Sequence, residues 1–138
     1  MEVLFRAEII EANIKDVLDI FEDKIVIQDG RYYMIGEEYK VIRRDDGSVK
    51  YCYINGMMVN YNTRAIHFEE MIDSDKKPIF ASLSEDGKGG DIVKCLDDYH
   101  WIAIYNKVNK YFAFYVVGDL DSELTEDWDN FKVIGIQK

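Results

Sequence analysis

The residues whose types and spacing come closest to a chemical site are carboxylates, gathered between positions 119 and 129. A calcium-binding loop begins in the same way, because the ion takes oxygen ligands from alternate positions. The pattern then fails, since Leu124 stands where that loop needs glycine and Asn130 where it needs a bidentate glutamate. We therefore predict an extended, solvated loop before the last strand. Its side chains form a candidate acidic interaction surface, made up of Asp119, Asp121, Glu123, Glu126, Asp127 and Asp129.

Histidine and cysteine are too scattered to predict a metal site or a catalytic nucleophile. His67, His100, Cys52 and Cys95 stand singly, without the close spacing of zinc ligands. Lys94 precedes Cys95, but neighbouring strand residues point to opposite faces, so the lysine is not expected to activate that thiol. The chain has no Gly-x-Ser-x-Gly elbow, and its many carboxylate pairs single out no acid–base couple. We expect no metal, no cofactor and no enzymatic activity.

A glycine-dense segment over 87–90 raises the idea of a phosphate-binding loop. The segment lacks the Walker spacing and the Ser or Thr after its lysine, and a strand is predicted to follow it in place of a helix. Gly90 can adopt a positive φ, and Asp91 can bond its own downstream backbone. We therefore expect the pair to turn the chain into the next strand, which is a structural role.

Composition predicts one globular domain over residues 1–138, because 48% of the 138 residues are hydrophobic and can build one core. The formal net charge of −10 repels phosphate backbones, so nucleic-acid binding is disfavoured and basic partners are favoured. Two cysteines in apolar runs indicate buried thiols in a reducing compartment. Glu2, Arg6 and Glu8 interrupt any apolar signal sequence, and no run reaches the length of a membrane span. We predict a cytoplasmic protein that does not enter a membrane.

One amphipathic helix is predicted, after an opening strand over 3–10. Apolar residues at positions 14, 17, 18 and 21 recur at helical spacing, and charged residues occupy the opposite face. Asn13 is suited to cap the first turn, and Asp16 lies near the positive end of the helix dipole. This helix, over Asn13–Asp23, should lie across an open face or edge of the sheet.

The rest of the chain predicts antiparallel β-structure. Asp29-Gly30, Asp46-Gly47 and Asn55-Gly56 each separate two runs of β-branched and aromatic residues, and such dipeptides favour type I′ hairpin turns. Further strands are predicted over 92–95, 101–105, 111–117 and 131–136. The predicted fold is all-β, or β with one minor helix, in which an antiparallel meander closes into a small barrel or sandwich. The predicted core contains Phe5, Val17, Leu18, Phe21, Ile25, Ile27, Val41, Ile54, Ile92, Val93, Ile102, Ile104, Phe112 and Phe114.

Three stretches stand out together in order along the chain. They are Glu2-Val3-Leu4-Phe5-Arg6-Ala7, the glycine loop Leu83–Lys88 running into Gly90-Asp91-Ile92-Val93-Lys94-Cys95, and Phe131-Lys132-Val133-Ile134-Gly135. Together they resemble the opening, the glycine loop with its Gly-Asp-Ile-Val strand, and the closing strand of the YopX family, small proteins found widely in phages and prophages. The resemblance implies an all-β, barrel-like fold and a phage or prophage setting, and it implies no activity.

Three functions remain open on this sequence. The first is a non-enzymatic module that binds another protein or itself, which follows from the lack of a catalytic constellation and from sheet edges that invite pairing. The second is an acidic DNA mimic, whose carboxylates would occupy a basic nucleic-acid-binding site on a host protein. The third is a barrel that binds a small ligand, which would require a deep, partly polar cavity.

Overall fold

The computed structural model describes residues 3–10, 14–95, 99–106, 110–124 and 131–138. Among the described residues, 55% are in β-structure and 10% are in helices, so β-structure dominates. The strands are β1 Val3–Glu8, β2 Ile25–Gln28, β3 Arg31–Gly36, β4 Tyr39–Arg43, β5 Val49–Ile54, β6 Met57–Met58, β7 Ala65–Phe68, β8 Ala81–Ser82, β9 Asp91–Lys94, β10 His100–Asn106, β11 Tyr111–Val116, β12 Asp119–Glu123 and β13 Lys132–Ile136. The helical segments are α1 Ile14–Ile20 and the 3₁₀ turns Glu22–Lys24 and Tyr61–Thr63.

Most strands form one large sheet that curls into a nearly closed barrel. Its order is β12-β11-β10-β8-β7-β1-β3-β2, and β9 joins β10 to β13. The curl brings β2 close to β13. Two contacts show this proximity: Gln28 lies beside Gly135, and Lys138 Nζ is 3.6 Å from Asp29 Oδ2. In the part of the chain that the structure describes, no backbone ladder joins these two strands. We call the opening between β2 and β13 the seam.

Two apolar clusters hold the layers together. One gathers side chains of β8 to β11 and of the loops beside them: Met71, Ile79, Ala81, Val93, Trp101, Ala103, Phe114 and Phe131. The other joins β1 and β3 to the small sheet β4-β5-β6 and to α1: Ala7, Ile9, Val17, Met34, Cys52, Ile54 and Val59. Val17 of α1 belongs to this second cluster, and Phe21, just after the helix, packs against it, so these two side chains hold the helix against the sheet.

The all-β prediction with one minor helix is confirmed, and so are two of the three type I′ turns. Asp29 and Gly30 have φ values of 51° and 75°, and Asn55 and Gly56 have 52° and 79°. The third turn prediction is wrong, because at 46–47 only the glycine has a positive φ. There the Asp46 carboxylate accepts hydrogen bonds from the Ser48 amide (2.9 Å) and hydroxyl (2.6 Å), which stabilises a longer loop.

The strand order differs from one continuous meander. β3 pairs with β1 and not with β4, so the chain leaves the barrel after β3 and forms the separate β4-β5-β6 sheet. β8 runs parallel to β10. In the predicted core, Ile54, Val93 and Phe114 are buried as expected, whereas Ile27 is 56% exposed. The prediction for Ile27 is wrong because alternation along a strand does not reveal that the strand lies at a sheet edge.

Candidate functional site

The first half of the acidic run forms an edge strand, so the prediction of a solvated loop is wrong there. β12 pairs with β11, with Asp119 opposite Val116 and Glu123 opposite Tyr115. Gly118, at φ 89°, makes the tight reversal between the two strands. This glycine, followed by alternating polar and apolar residues, is the sequence signal that could have predicted the strand. Three of the predicted site residues are exposed on β12, namely Asp119, Asp121 and Glu123. The other three lie outside the described residues, namely Glu126, Asp127 and Asp129.

A groove runs beside β12 on the face of β10 and β11. It consists of two cavities of about 430 and 280 Å³ that meet at the side chain of Leu120. Apolar and aromatic residues make up most of its lining: Leu83, Ile102, Ile104, Tyr105, Tyr115, Val117 and Leu120. We call this feature the β12 groove. Its surface is suited to covering apolar side chains of a partner, since each such side chain buried there contributes about 1.5–3 kcal/mol.

Negative charge borders the β12 groove. Glu85 and Asp86 line it on the side of the glycine loop. Burial raises the pKa of the Tyr115 hydroxyl, and the negative charge of the nearby Glu123 carboxylate raises it further. Among the described residues that line the groove there is no lysine or arginine. An apolar floor with an acidic border favours a ligand that is both apolar and cationic.

A buried ion pair, absent from the sequence predictions, lies inside the barrel. Arg6 Nη2 is 2.8 Å from Asp91 Oδ1 and also donates to the carbonyl oxygen of Gly89 at 2.8 Å. The guanidinium lies 4.6 Å from the centroid of the Phe80 ring, and the Phe80 amide donates to Asp91 Oδ2 at 2.8 Å. Burial raises the pKa of the Asp91 carboxyl, and the charge of Arg6 opposes that rise. The pair ties β1 to β9 and to the glycine-dense segment 87–90.

The predicted turn at Gly90 and Asp91 is wrong. Asp91 is a residue of β9 with a partner on another strand, and positive φ values occur at Gly87 (81°) and Gly89 (82°) instead. A Cβ at Gly89 would overlap the carbonyl oxygen of Thr63, and one at Gly90 would lie 2.5 Å from that of Ala103. The glycines therefore allow the backbone of the loop to pack against neighbouring backbone, which explains them without a phosphate.

The isolated histidine and cysteine residues stay apart in the fold. His67 is buried, with Nδ1 3.0 Å from the carbonyl oxygen of Ile79. His100 is exposed on β10. Cys52 is buried, and burial raises the pKa of its thiol, whereas Cys95 is half-buried. In the described ranges, no three His, Cys, Asp or Glu side chains come together in a way that could hold a metal ion.

Comparisons with known proteins return no match to a family model, a curated protein or a solved structure. The resemblance to the YopX family therefore stays a prediction. None of the described helices has the length and apolar character that crossing a membrane requires.

Proposed function

We propose that this protein is a non-enzymatic interaction module that binds a basic, amphipathic segment of a protein partner in the β12 groove. The observation that carries the proposal is the apolar floor around Leu120, bordered by Glu85, Asp86 and Glu123. Asp119 and Asp121 add two exposed carboxylates on the strand that forms one side of the groove. Charge and shape together select a partner that carries lysine or arginine beside apolar side chains.

The two parts of the groove contribute differently to binding. An exposed ion pair contributes about 0–1 kcal/mol, so the carboxylates act mainly on encounter rate and on the choice of partner. Burial of apolar side chains on the groove floor supplies most of the affinity. A second copy of this chain is disfavoured as the occupant, because two copies with a net charge of −10 repel each other. The partner is therefore a different protein with a basic surface.

The cellular setting of the protein decides which basic proteins are available as partners. The YopX resemblance implies a phage or prophage setting, and the sequence predicts a cytoplasmic protein, so a basic host protein is an available partner. A nucleic-acid-binding host protein is one member of that class, in which case the exposed carboxylates of β12 would imitate phosphates.

A model peptide tests the groove directly. A short peptide of alternating lysine and leucine should bind the wild-type protein, whereas one of glutamate and leucine should not. The substitution Leu120→Arg places a cation on the groove floor and should weaken binding of the lysine peptide at least about tenfold. Ile134→Arg is the matched control, since Ile134 is 47% exposed on β13 and does not line the groove. Equal affinity of both variants for the peptide would overturn the proposal.

Salt dependence distinguishes a partner that is bound through the apolar floor from a nucleic-acid-binding protein that is bound by phosphate mimicry. Proteins captured from host lysate by the wild-type protein and lost with Leu120→Arg depend on the apolar floor. The variant Asp119→Asn/Asp121→Asn/Glu123→Gln keeps that floor and removes the β12 charges. The partner is bound by phosphate mimicry if this triple variant captures no protein and if added salt releases a nucleic-acid-binding protein from the wild-type protein. If this variant and Leu120→Arg both capture the same proteins as the wild type, the β12 groove is not the binding site.

A further inference from the structure

A second cavity opens at the seam, and it shares no lining residue with the β12 groove. Its volume is about 320 Å³, close to the lower bound of roughly 300 Å³ for small-molecule sites. Four apolar side chains of its wall keep accessible surface, namely Val26, Ile35 and Val133, which are half-buried, and Ile134, which is 47% exposed. The aliphatic body of a small ligand can therefore reach this wall, and covering both apolar surfaces favours binding.

The lining of this cavity is cationic, although the chain has a net charge of −10. Among the described residues, the charged ones that line it are Arg6, Lys77 and Asp91, which leaves one net positive charge. Arg6 and Asp91 pair with each other at 2.8 Å, and both are buried, so neither is available to a ligand. Lys77 is exposed, and in the described ranges no carboxylate lies within ion-pair distance of its ammonium group. The charge that the cavity offers to a ligand is therefore that of Lys77.

The backbone of Lys77 is fixed beside β13 by Asp73. The Asp73 amide donates to the carbonyl oxygen of Lys77 at 2.9 Å, and the Lys77 amide donates to Asp73 Oδ1 at 2.8 Å. Asp73 Oδ2 accepts from the amide of Val133 at 3.1 Å, and Asp73 itself is buried and does not line the cavity. Pro78, which follows Lys77 and lines the cavity, restricts the backbone further because its ring fixes φ. The backbone that carries the lysine is therefore in place before a ligand binds, which lowers the cost of binding.

We propose that the seam cavity binds a small monocarboxylate with an aliphatic body. The carboxylate pairs with the ammonium group of Lys77, and the body packs against the four accessible apolar side chains of the wall. One net positive charge in the lining matches a monoanion, whereas Lys77 repels a cation and a dianion keeps one charge unpaired. A neutral amide of the same shape leaves the ammonium group without a counter-charge. The site is independent of the proposed function, because the β12 groove has an acidic border and other lining residues.

Three probes with one aliphatic body test the head group, namely octanoate, octanamide and octylammonium. Binding is measured from the backbone amide signals of β2 and β13 in proton–nitrogen NMR spectra. Octanoate should shift these seam signals saturably and bind at least about threefold more tightly than octanamide, the ratio expected for one partly exposed ion pair. Octylammonium should not shift them. Shortening octanoate to hexanoate should weaken binding about fourfold for each methylene removed, because the apolar wall then covers less of the ligand.

Two pairs of variants tie the effect to the lysine and to the wall. Lys77→Gln should lower the affinity for octanoate to that for octanamide, and Lys76→Gln is the matched control, because Lys76 is exposed in the same loop and does not line the cavity. Ile134→Asp places a carboxylate on the wall and should weaken octanoate binding at least about tenfold. Ile27→Asp should leave the affinity nearly unchanged, since Ile27 is exposed and does not line the cavity. Seam signals that octanoate does not move, equal affinities for octanoate and octanamide, or equal effects of Lys77→Gln and Lys76→Gln would each overturn the proposal.

Discussion

Replacing Gly89 by alanine tests whether the glycines of the segment 87–90 serve close backbone packing. Gly89 has a φ of 82°, and a Cβ at this position would overlap the carbonyl oxygen of Thr63. The left-handed conformation costs an alanine about 1–2 kcal/mol. Overpacking against a neighbour costs about 1–3 kcal/mol more, because here the neighbour is backbone and cannot rotate away. We expect the free energy of unfolding to fall by about 2–5 kcal/mol.

Gly30→Ala provides the matched control for that experiment. Gly30 has a similar φ of 75°, but nothing lies within 4 Å of the position where its Cβ would be. This variant should therefore lose only the conformational part, about 1–2 kcal/mol. Urea unfolding followed by tryptophan fluorescence measures both changes, and Trp101, at 7% exposure, reports on the core. Equal losses in the two variants would refute the close-packing account of the loop.

Three further predictions follow from single side chains. Burial raises the pKa of Asp91 above its ordinary value of 3.8, so as the pH rises the unfolded chain loses this proton before the native protein does. The contribution of Asp91 to the free energy of unfolding is therefore full below pH 3.8 and is lost as the pH rises through the higher native pKa. Urea unfolding at several pH values should therefore show that Asp91→Asn costs most in acid, and a cost that grows toward neutral pH would contradict the sign. Asn55→Ala should cost about 1–2 kcal/mol in the same assay, since it loses the hydrogen bond to the Ile35 carbonyl and places alanine at a φ of 52°. Ile27→Lys on the exposed edge should change stability by less than about 0.5 kcal/mol, and a larger loss would mean that β2 is covered in solution.

Local features of the fold could be predicted from the sequence because their causes lie within a few residues. Asn55-Gly56 specifies its hairpin by conformational preference alone, and the strands on either side follow from their β-branched and aromatic content. The same reasoning fails at Asp46, where a hydroxyl at Ser48 competes for the turn. A dipeptide rule does not include such a neighbour.

The buried ion pair of Arg6 and Asp91 could not be predicted, because the residues that meet there are distant in sequence. Arg6 and Gly89 are separated by 83 positions, and no local pattern at either residue indicates the other. Arg6 between the apolar residues Phe5 and Ala7 is a signal, and it becomes informative once β1 is known to lie in the middle of the large sheet. Of the β12 groove, the sequence predicts only the acidic surface of Asp119, Asp121 and Glu123, and it does not indicate Leu120 or the apolar floor beside it.

The central place of β1 in the sheet also sets the order in which the chain can fold during synthesis. β1 is made before the other described strands, but its two neighbours in the sheet are β3 and β7, and Arg6 finds its partner Asp91 only on β9. The β2–β3 and β4–β5 hairpins can form as soon as they leave the ribosome, since their partners are adjacent. One edge of β1 therefore stays open to the solvent or a chaperone until β7 at 65–68 has emerged, and the barrel wall is complete only when β13 at 132–136 has followed. A topology with so many non-local pairs folds on the slow side for its size, in roughly milliseconds to seconds.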